Sequence, residues 1–236
     1  MRYSVLSFDL DGTLVDTAAE IAEAVNRTLA EFDVPRQDEE RITRHIGHGA
    51  RHTLLRVLAD LLLADPQQAD RLRPDTVLPR WEAHYGALAG RQAKPYPGCA
   101  QMLRALRLGG VRLACLTNKE HRHAQQVLQR CGLGSAFDFV LGGDSLPQRK
   151  PDPATLRHVL AALGGQPQRA AHVGDSRIDI ETARAAGAQA WAVPWGYDGG
   201  APLLEARPDQ VFDSLPDIAE HVLGVNRAWI AAAATA

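Results

Sequence analysis

At 236 residues, with 45% apolar side chains, 23% charged ones and a formal net charge of −2, the chain has the composition of a globular protein with a sizeable core. A pI of about 6.5 gives no basic field for nucleic acid, and no apolar run approaches the ~18 residues of a membrane span, so neither is an expected partner. The first carboxylate arrives at Asp9, too early for a secretory leader, and Cys99, Cys115 and Cys131 form no CxxC pair; reduced thiols and a cytoplasmic location are expected.

Val5–Phe8 is a β-rich run that leads straight into Asp9-Leu10-Asp11-Gly12-Thr13-Leu14. Two carboxylates at the end of a buried strand cost desolvation and repel each other, and a cation between them removes both penalties. After Leu14 the period changes. Ile21, Val25, Leu29 and Phe32 recur at helical spacing, with Thr17 as N-cap and Pro35 as stop. A short helix is expected over 38–46, broken by Gly47-His48-Gly49. A longer one carries Leu54, Leu55, Leu58, Leu61 and Leu62, and a fourth spans 67–89 with Val77, Trp81, Tyr85 and Leu88 on its inner face. Lys94-Pro95-Tyr96-Pro97-Gly98 reads as a stiff linker.

Beyond the linker, helix and strand alternate. Helices are expected at 99–108, 120–131, 153–163, 177–186 and 215–223, strands at 111–116, 137–141, 170–173, 190–193 and 211–212, and a fraying tail from Ala231 to Ala236. Alternation of this kind means parallel βαβ units, so the fold class is α/β: a doubly wound, Rossmann-like core with an inserted helical cap. The core takes residues 1–16 and 91–236, the cap residues 17–90, and the crossings at 14–17 and 90–95 are the expected hinges.

Open α/β sheets bind ligands beyond the carboxyl ends of their strands. Three strand ends here carry complementary chemistry: Asp9 and Asp11 after the first, Thr117-Asn118-Lys119 after 111–116, and Gly174-Asp175-Ser176 after 170–173. The Lys150-Pro151-Asp152-Pro153 segment supplies a cation. Asp9 and Asp175 offer hard oxygens for Mg²⁺, Thr117 a hydroxyl donor, and Lys150 a positive charge for a phosphate oxygen. These parts position and neutralise a transferring phosphoryl group. With no GxxxxGK[ST] and no GxGxxG present, a carboxylate nucleophile forming an aspartyl-phosphate is the consistent chemistry.

DLDGTLVDT, LTNK, KPDP and GDSRID, in that order, resemble the four motifs of the haloacid dehalogenase superfamily, and the resemblance spans essentially the whole chain. The helical insert after the first motif, and Trp195-Gly196-Tyr197, are similar to the phosphoglycolate phosphatase-like branch. The resemblance implies that Asp9 is nucleophile and metal ligand. Asp11 would be general acid and then base, its backbone carbonyl also on the metal. Thr117 and Lys150 would hold the phosphoryl oxygens with Asn118 beside them, Asp175 would complete the Mg²⁺ shell, and Asp179 would stand just behind it. The expected partner is a small phosphomonoester, a phosphorylated acid such as phosphoglycolate or a sugar phosphate, and the expected assembly a monomer or homodimer.

In capped relatives selectivity lies in the loop between the first two cap helices, here Ile46 to Arg51, which makes His48 and Arg51 candidate substrate contacts; His48 stands where relatives often carry Asn. Asp11 favours phosphate chemistry over dehalogenation. The Gly-Asp-Ser-x-x-Asp form of the fourth motif favours hydrolysis over the rival β-phosphoglucomutase-like transfer, and the intact set of Asp9, Asp11, Lys150 and Asp175 argues against a non-catalytic binding protein. His45, His48 and His52 read as a solvated surface rather than a zinc site, His121 and His123 as surface, and Trp81 with Tyr85 as a core stripe.

Overall fold

The computed structural model describes residues 1–198 and 201–234. In chain order come β1 (Val5–Phe8), β2 (Val15–Asp16), α1 (Ala18–Ala30), α2 (Glu39–Thr43), α3 (Ala50–Ala64), α4 (Pro74–Leu88), β3 (Lys94–Pro95), α5 (Cys99–Leu108) and β4 (Arg112–Leu116). Then follow α6 (His121–Arg130), β5 (Phe139–Leu141), α7 (Pro153–Ala162), β6 (Ala170–Gly174), α8 (Arg177–Ala186), β7 (Gln189–Ala192), α9 (Ala201–Glu205), β8 (Gln210–Val211) and α10 (Leu215–Ala234). Six strands pair in parallel in the order β5-β4-β1-β6-β7-β8. The central strand is buried at every position, as a strand covered on both faces must be.

One face of the sheet packs Met102, Leu103 and Leu106 of α5, Val127 of α6, and Ile218 and Val222 of α10; the other packs Leu156 and Val159 of α7 and Ile180 of α8. The first core runs without a break into the helical insert through Ile21, Val25, Leu54 and Trp81. Trp81 and Tyr85, one turn apart on α4, stack at 4.8 Å and are buried, as the core-stripe reading expects.

Three local expectations need correction, and the two crossings carry a pairing the sequence did not predict. The 67–89 segment is two elements: Asp65 caps a short 3₁₀ turn at Pro66–Gln68, and α4 restarts at Pro74, which holds Arg73 extended. The crossings at 14–17 and 90–95 are paired as a two-stranded antiparallel ribbon, Val15 opposite Pro95 and Asp16 opposite Lys94. His123 is buried against Tyr85 and bonded to Glu82 at 2.8 Å, not on the surface. The alanine-rich tail stays helical through Ala234, because alanine's intrinsic helix propensity needs no apolar face; Thr235 and Ala236 lie outside the described residues.

Candidate active site

The parallel register brings the carboxyl ends of β4, β1 and β6 side by side. Phe8 pairs with Cys115 on one side and Val173 on the other, so Asp9, Thr117 and Asp175 emerge together a step or two later. Asp9 donates its amide to Val173, Thr117 its amide to Leu141, and both side chains are buried. Just after Asp11, Gly12 has φ +83 and sits against the Asp175 carboxylate, where a Cβ would lie 2.5 Å from Oδ2. Only glycine lets the chain turn there and lets the first strand end close on the third.

Lys150 reaches this end from the loop before α7. Its Nζ lies 2.9 Å from Asp9 Oδ1 and 2.6 Å from Asp179 Oδ1. Asp179 is a hub rather than an open ligand: Oδ1 also bonds His172 Nε2 at 3.1 Å, while Oδ2 accepts from the Ser176 amide at 3.2 Å and hydroxyl at 2.6 Å. Burial opposes its ionisation, but Lys150 and His172 outweigh burial and hold its pKa well below the usual range. Asp175 accepts from the Thr13 hydroxyl at 2.8 Å and the Tyr197 amide at 2.9 Å.

Carboxylate oxygens of Asp9, Asp175 and Asp179 lie within 4.8 Å of one another, all buried. Burial first, then the neighbouring carboxylates, push Asp175 well above its ordinary pKa and Asp9, despite Lys150, from 3.8 to about 7. Two carboxylates this reluctant to ionise are a site short of positive charge. Hard oxygens, high negative charge and small separation fit an oxygen-seeking divalent cation, with Asp9 and Asp175 offering ligand oxygens and Asp179 holding Lys150 behind them. A cation held there would take the ionised form of Asp9, so below about pH 7 it would have to displace a proton. Millimolar Mg²⁺ is therefore expected to raise the melting temperature more at about pH 8 than at about pH 5, as read by scanning calorimetry. Equal shifts at both would remove Asp9 from the ligand set.

Asp11 is held on one oxygen. Its Oδ1 accepts from Thr17 Oγ1 at 2.6 Å and from Lys119 Nζ at 2.7 Å. Thr17 therefore stands at the N-cap of α1 without capping it. Tyr197 does that work instead: its hydroxyl accepts the amides of Thr17 at 2.6 Å and Ala18 at 3.0 Å and donates to Asp16 at 2.8 Å. The Trp195-Gly196-Tyr197 segment thus ties β7 to both the first motif and Asp175. Lys119, unassigned by sequence reasoning, is 1% exposed and lies over the Tyr85 ring at 5.1 Å. Burial works against its charge, yet Asp11, Tyr85 and Glu20 together raise its pKa. Its position directly after Thr117-Asn118 was the available signal.

Asp9, Asp11, Thr117, Asn118 and Lys119 share a cavity of about 10 Å³ with Ile21, Ile46, Gly47, Gly49 and Ala50 of the insert. That space is about one water molecule's worth, so the helical insert is closed onto the sheet. Asn118 does not point a free amide at a ligand. Its Oδ1 accepts the Lys150 amide at 3.0 Å, and its Nδ2 donates to the carbonyls of Lys150 at 3.1 Å and Gly47 at 3.2 Å. It braces the lysine and latches the insert's loop. His48 and Arg51 are exposed and absent from this cavity's wall. His48 instead borders an outer cleft of about 390 Å³ with Arg44, His52 and Arg56, its ring 5.1 Å from that of His52. His45, grouped with both in the sequence, bonds Asp60 at 2.9 Å.

Known proteins resemble this chain along nearly its full length. A Thiobacillus denitrificans protein named phosphoglycolate phosphatase is 36% identical over 220 residues, covering 93% of this chain and 94% of the relative. A Rhodospirillum rubrum protein of the same name is 40% identical over 215 residues, covering 90% and 88%. The crystal structure of a predicted phosphoglycolate phosphatase from Haemophilus somnus superposes with a TM-score of 0.85 at 30% identity, covering 94% of this chain and 99% of that one. The family model of haloacid dehalogenase-like hydrolases matches residues 3–187, across the ends of β1, β4 and β6, and the chain belongs to that family.

Proposed function

We propose that the chain is a Mg²⁺-dependent phosphatase of small phosphomonoesters, with 2-phosphoglycolate first among them and a sugar phosphate second. The observation that carries this reading is the pairing, in one closed cavity, of Asp9 held by Lys150 with Asp11 held on Oδ1 alone. An Asp9 oxygen attacks phosphorus, the bond to the ester oxygen breaks, and Asp11 gives that oxygen its proton. The alcohol leaves and an aspartyl-phosphate stands on Asp9. Asp11, now a carboxylate, takes a proton from water as that water attacks phosphorus, which frees Asp9 and releases orthophosphate. Thr117 and Lys150 neutralise phosphoryl oxygens throughout. Asp9, Asp175 and the Asp11 carbonyl would hold the cation, which when bound screens the negative charge between nucleophile and phosphate.

Residues 17–90 act as a cap that excludes bulk water, opening at the β2–β3 ribbon to admit substrate and closing on the Asn118–Gly47 latch. The names of the relatives put 2-phosphoglycolate at the head of a test panel that includes sugar phosphates and nucleoside monophosphates. Phosphate release that requires Mg²⁺ and stops with chelator is the expected result. A sugar phosphate converted to an isomer without free phosphate would replace this reading with mutase chemistry.

A further inference from the structure

Lys119 is the charged group in the cavity that the aspartyl-phosphate chemistry does not use. An ammonium buried to 1% exposure is costly to keep, and the Thr17 hydroxyl at 2.6 Å already fixes Asp11 Oδ1 without it. Of its three donors, one goes to Asp11 at 2.7 Å; the Tyr85 ring lies at 5.1 Å and the Glu20 carboxylate also acts on the charge, but no second hydrogen bond holds the ammonium among the described residues, and it borders the cavity. The opposite wall comes from the insert. Here α3 begins at Ala50 after Gly49, with no side chain capping it, so its first-turn amides open where Gly49 and Ala50 line the cavity. Gly49 has φ +97, and a Cβ there would lie 2.5 Å from the Asn118 carbonyl, so this helix start seats directly on the residue before Lys119. The insert's lining residues are Ile21, Ile46, Gly47, Gly49 and Ala50, none with a side-chain group for a sugar hydroxyl.

Resting on the phosphatase reading, we propose that Lys119, opposite the uncapped start of α3, is the receptor for the carboxylate of a short phosphorylated 2-hydroxy acid, and so a specificity-determining residue of this site. The geometry suits such a substrate. Asp11 serves the ester oxygen, and the carboxylate carbon of a 2-phospho acid is two bonds from that oxygen, so a cation touching Asp11 meets it. A sugar phosphate offers neutral hydroxyls at the same place, which meet the ammonium more weakly than a carboxylate does.

The test uses non-hydrolysable ligands, so that it reads binding apart from turnover. Calorimetric titration with 3-phosphonopropionate, and with propylphosphonate in which a methyl replaces the carboxylate, is made on the wild type and on Lys119→Met with Mg²⁺ present. The wild type is expected to bind the carboxylate ligand about 10- to 100-fold more tightly, the worth of a charge-assisted hydrogen bond, and Lys119→Met to bring the two within roughly threefold. Equal affinities in the wild type would overturn the proposal without any variant. So would a variant that keeps the wild-type preference, or one that loses both ligands equally, which is the signature of a lysine that only positions Asp11. Lys119→Gln gives the same comparison where the methionine variant is unstable. A failed phosphatase reading shows separately, as no phosphate release from 2-phosphoglycolate while the wild-type preference stands.

Discussion

Asp9→Asn is expected to cut phosphate release by at least about 10⁴-fold while making the cation-free protein more stable at alkaline pH. The first effect follows from removing the atom that bonds phosphorus; asparagine keeps the shape and can still accept the Leu10 amide that meets Asp9 Oδ1 at 2.7 Å. The second follows from the raised pKa. An Asp9 that titrates at about 7 in the folded chain and near 3.8 in the unfolded one favours folding below both values. That contribution is lost as pH rises through 7, on the order of 4 kcal/mol at ~1.4 kcal/mol per unit. Asparagine never ionises, and Lys150 keeps Asp179 at 2.6 Å as its partner. Chelator-treated Asp9→Asn should therefore melt above the wild type by roughly 10 °C at about pH 8 and by less than half of that at about pH 5. A variant that melts lower at the higher pH would mean that the Lys150 pair outweighs the desolvation of Asp9. Activity measured on the same samples separates chemistry from folding, since a more stable protein without turnover has lost its nucleophile and not its structure.

What could be read from the sequence was what parallel strands make inevitable. Strands that pair in register end at one edge, so Asp9, Thr117 and Asp175 had to meet once the βαβ alternation was recognised, and the helical insert followed from a run of helices without a strand. What could not be read depends on partners far along the chain. Glu20 lies beside Ile21 on the inner face of α1 and looks like a misplaced charge; its Oε2 accepts the amides of Gly90, Gln92 and Ala93 and fastens the strap that returns to the sheet. Lys119 and Thr17 carry no sign of pointing at the same oxygen of Asp11. The β2–β3 ribbon is two residues per strand, too short for any periodicity to register. His48 lies in the expected loop, whereas Arg51 already belongs to the first turn of α3; the backbone at Gly47 and Gly49 faces the cavity while both side chains are exposed.

Asp179→Ala is expected to cost about 3–5 kcal/mol of stability. The carboxylate joins Lys150, His172 and both the amide and the hydroxyl of Ser176, so its removal leaves the buried ammonium to Asp9 alone, unpairs His172 Nε2 and takes away the Asp179 half of the capping box of α8 in one step. Gly174 shows how tightly the group is seated, since a Cβ there would lie 2.1 Å from the Asp179 carboxyl carbon. For a chain of this length the loss corresponds to a fall of roughly 10–15 °C in melting temperature. Because Lys150 and His172 hold the Asp179 pKa far down, the contribution persists across the physiological range and is lost only as strong acid brings the pH through that depressed value. Asp179→Asn keeps the shape and an acceptor and should cost less, but the Lys150 ammonium then leans on Asp9 alone. The two variants also settle what Asp179 does for the cation. As a residue that positions Lys150, it leaves the Mg²⁺-induced rise in melting temperature in Asp179→Asn near that of the wild type, with turnover falling through a displaced lysine. If that rise disappears in Asp179→Asn but the fold persists, Asp179 is a direct ligand, and the third carboxylate of the cluster belongs with Asp9 and Asp175.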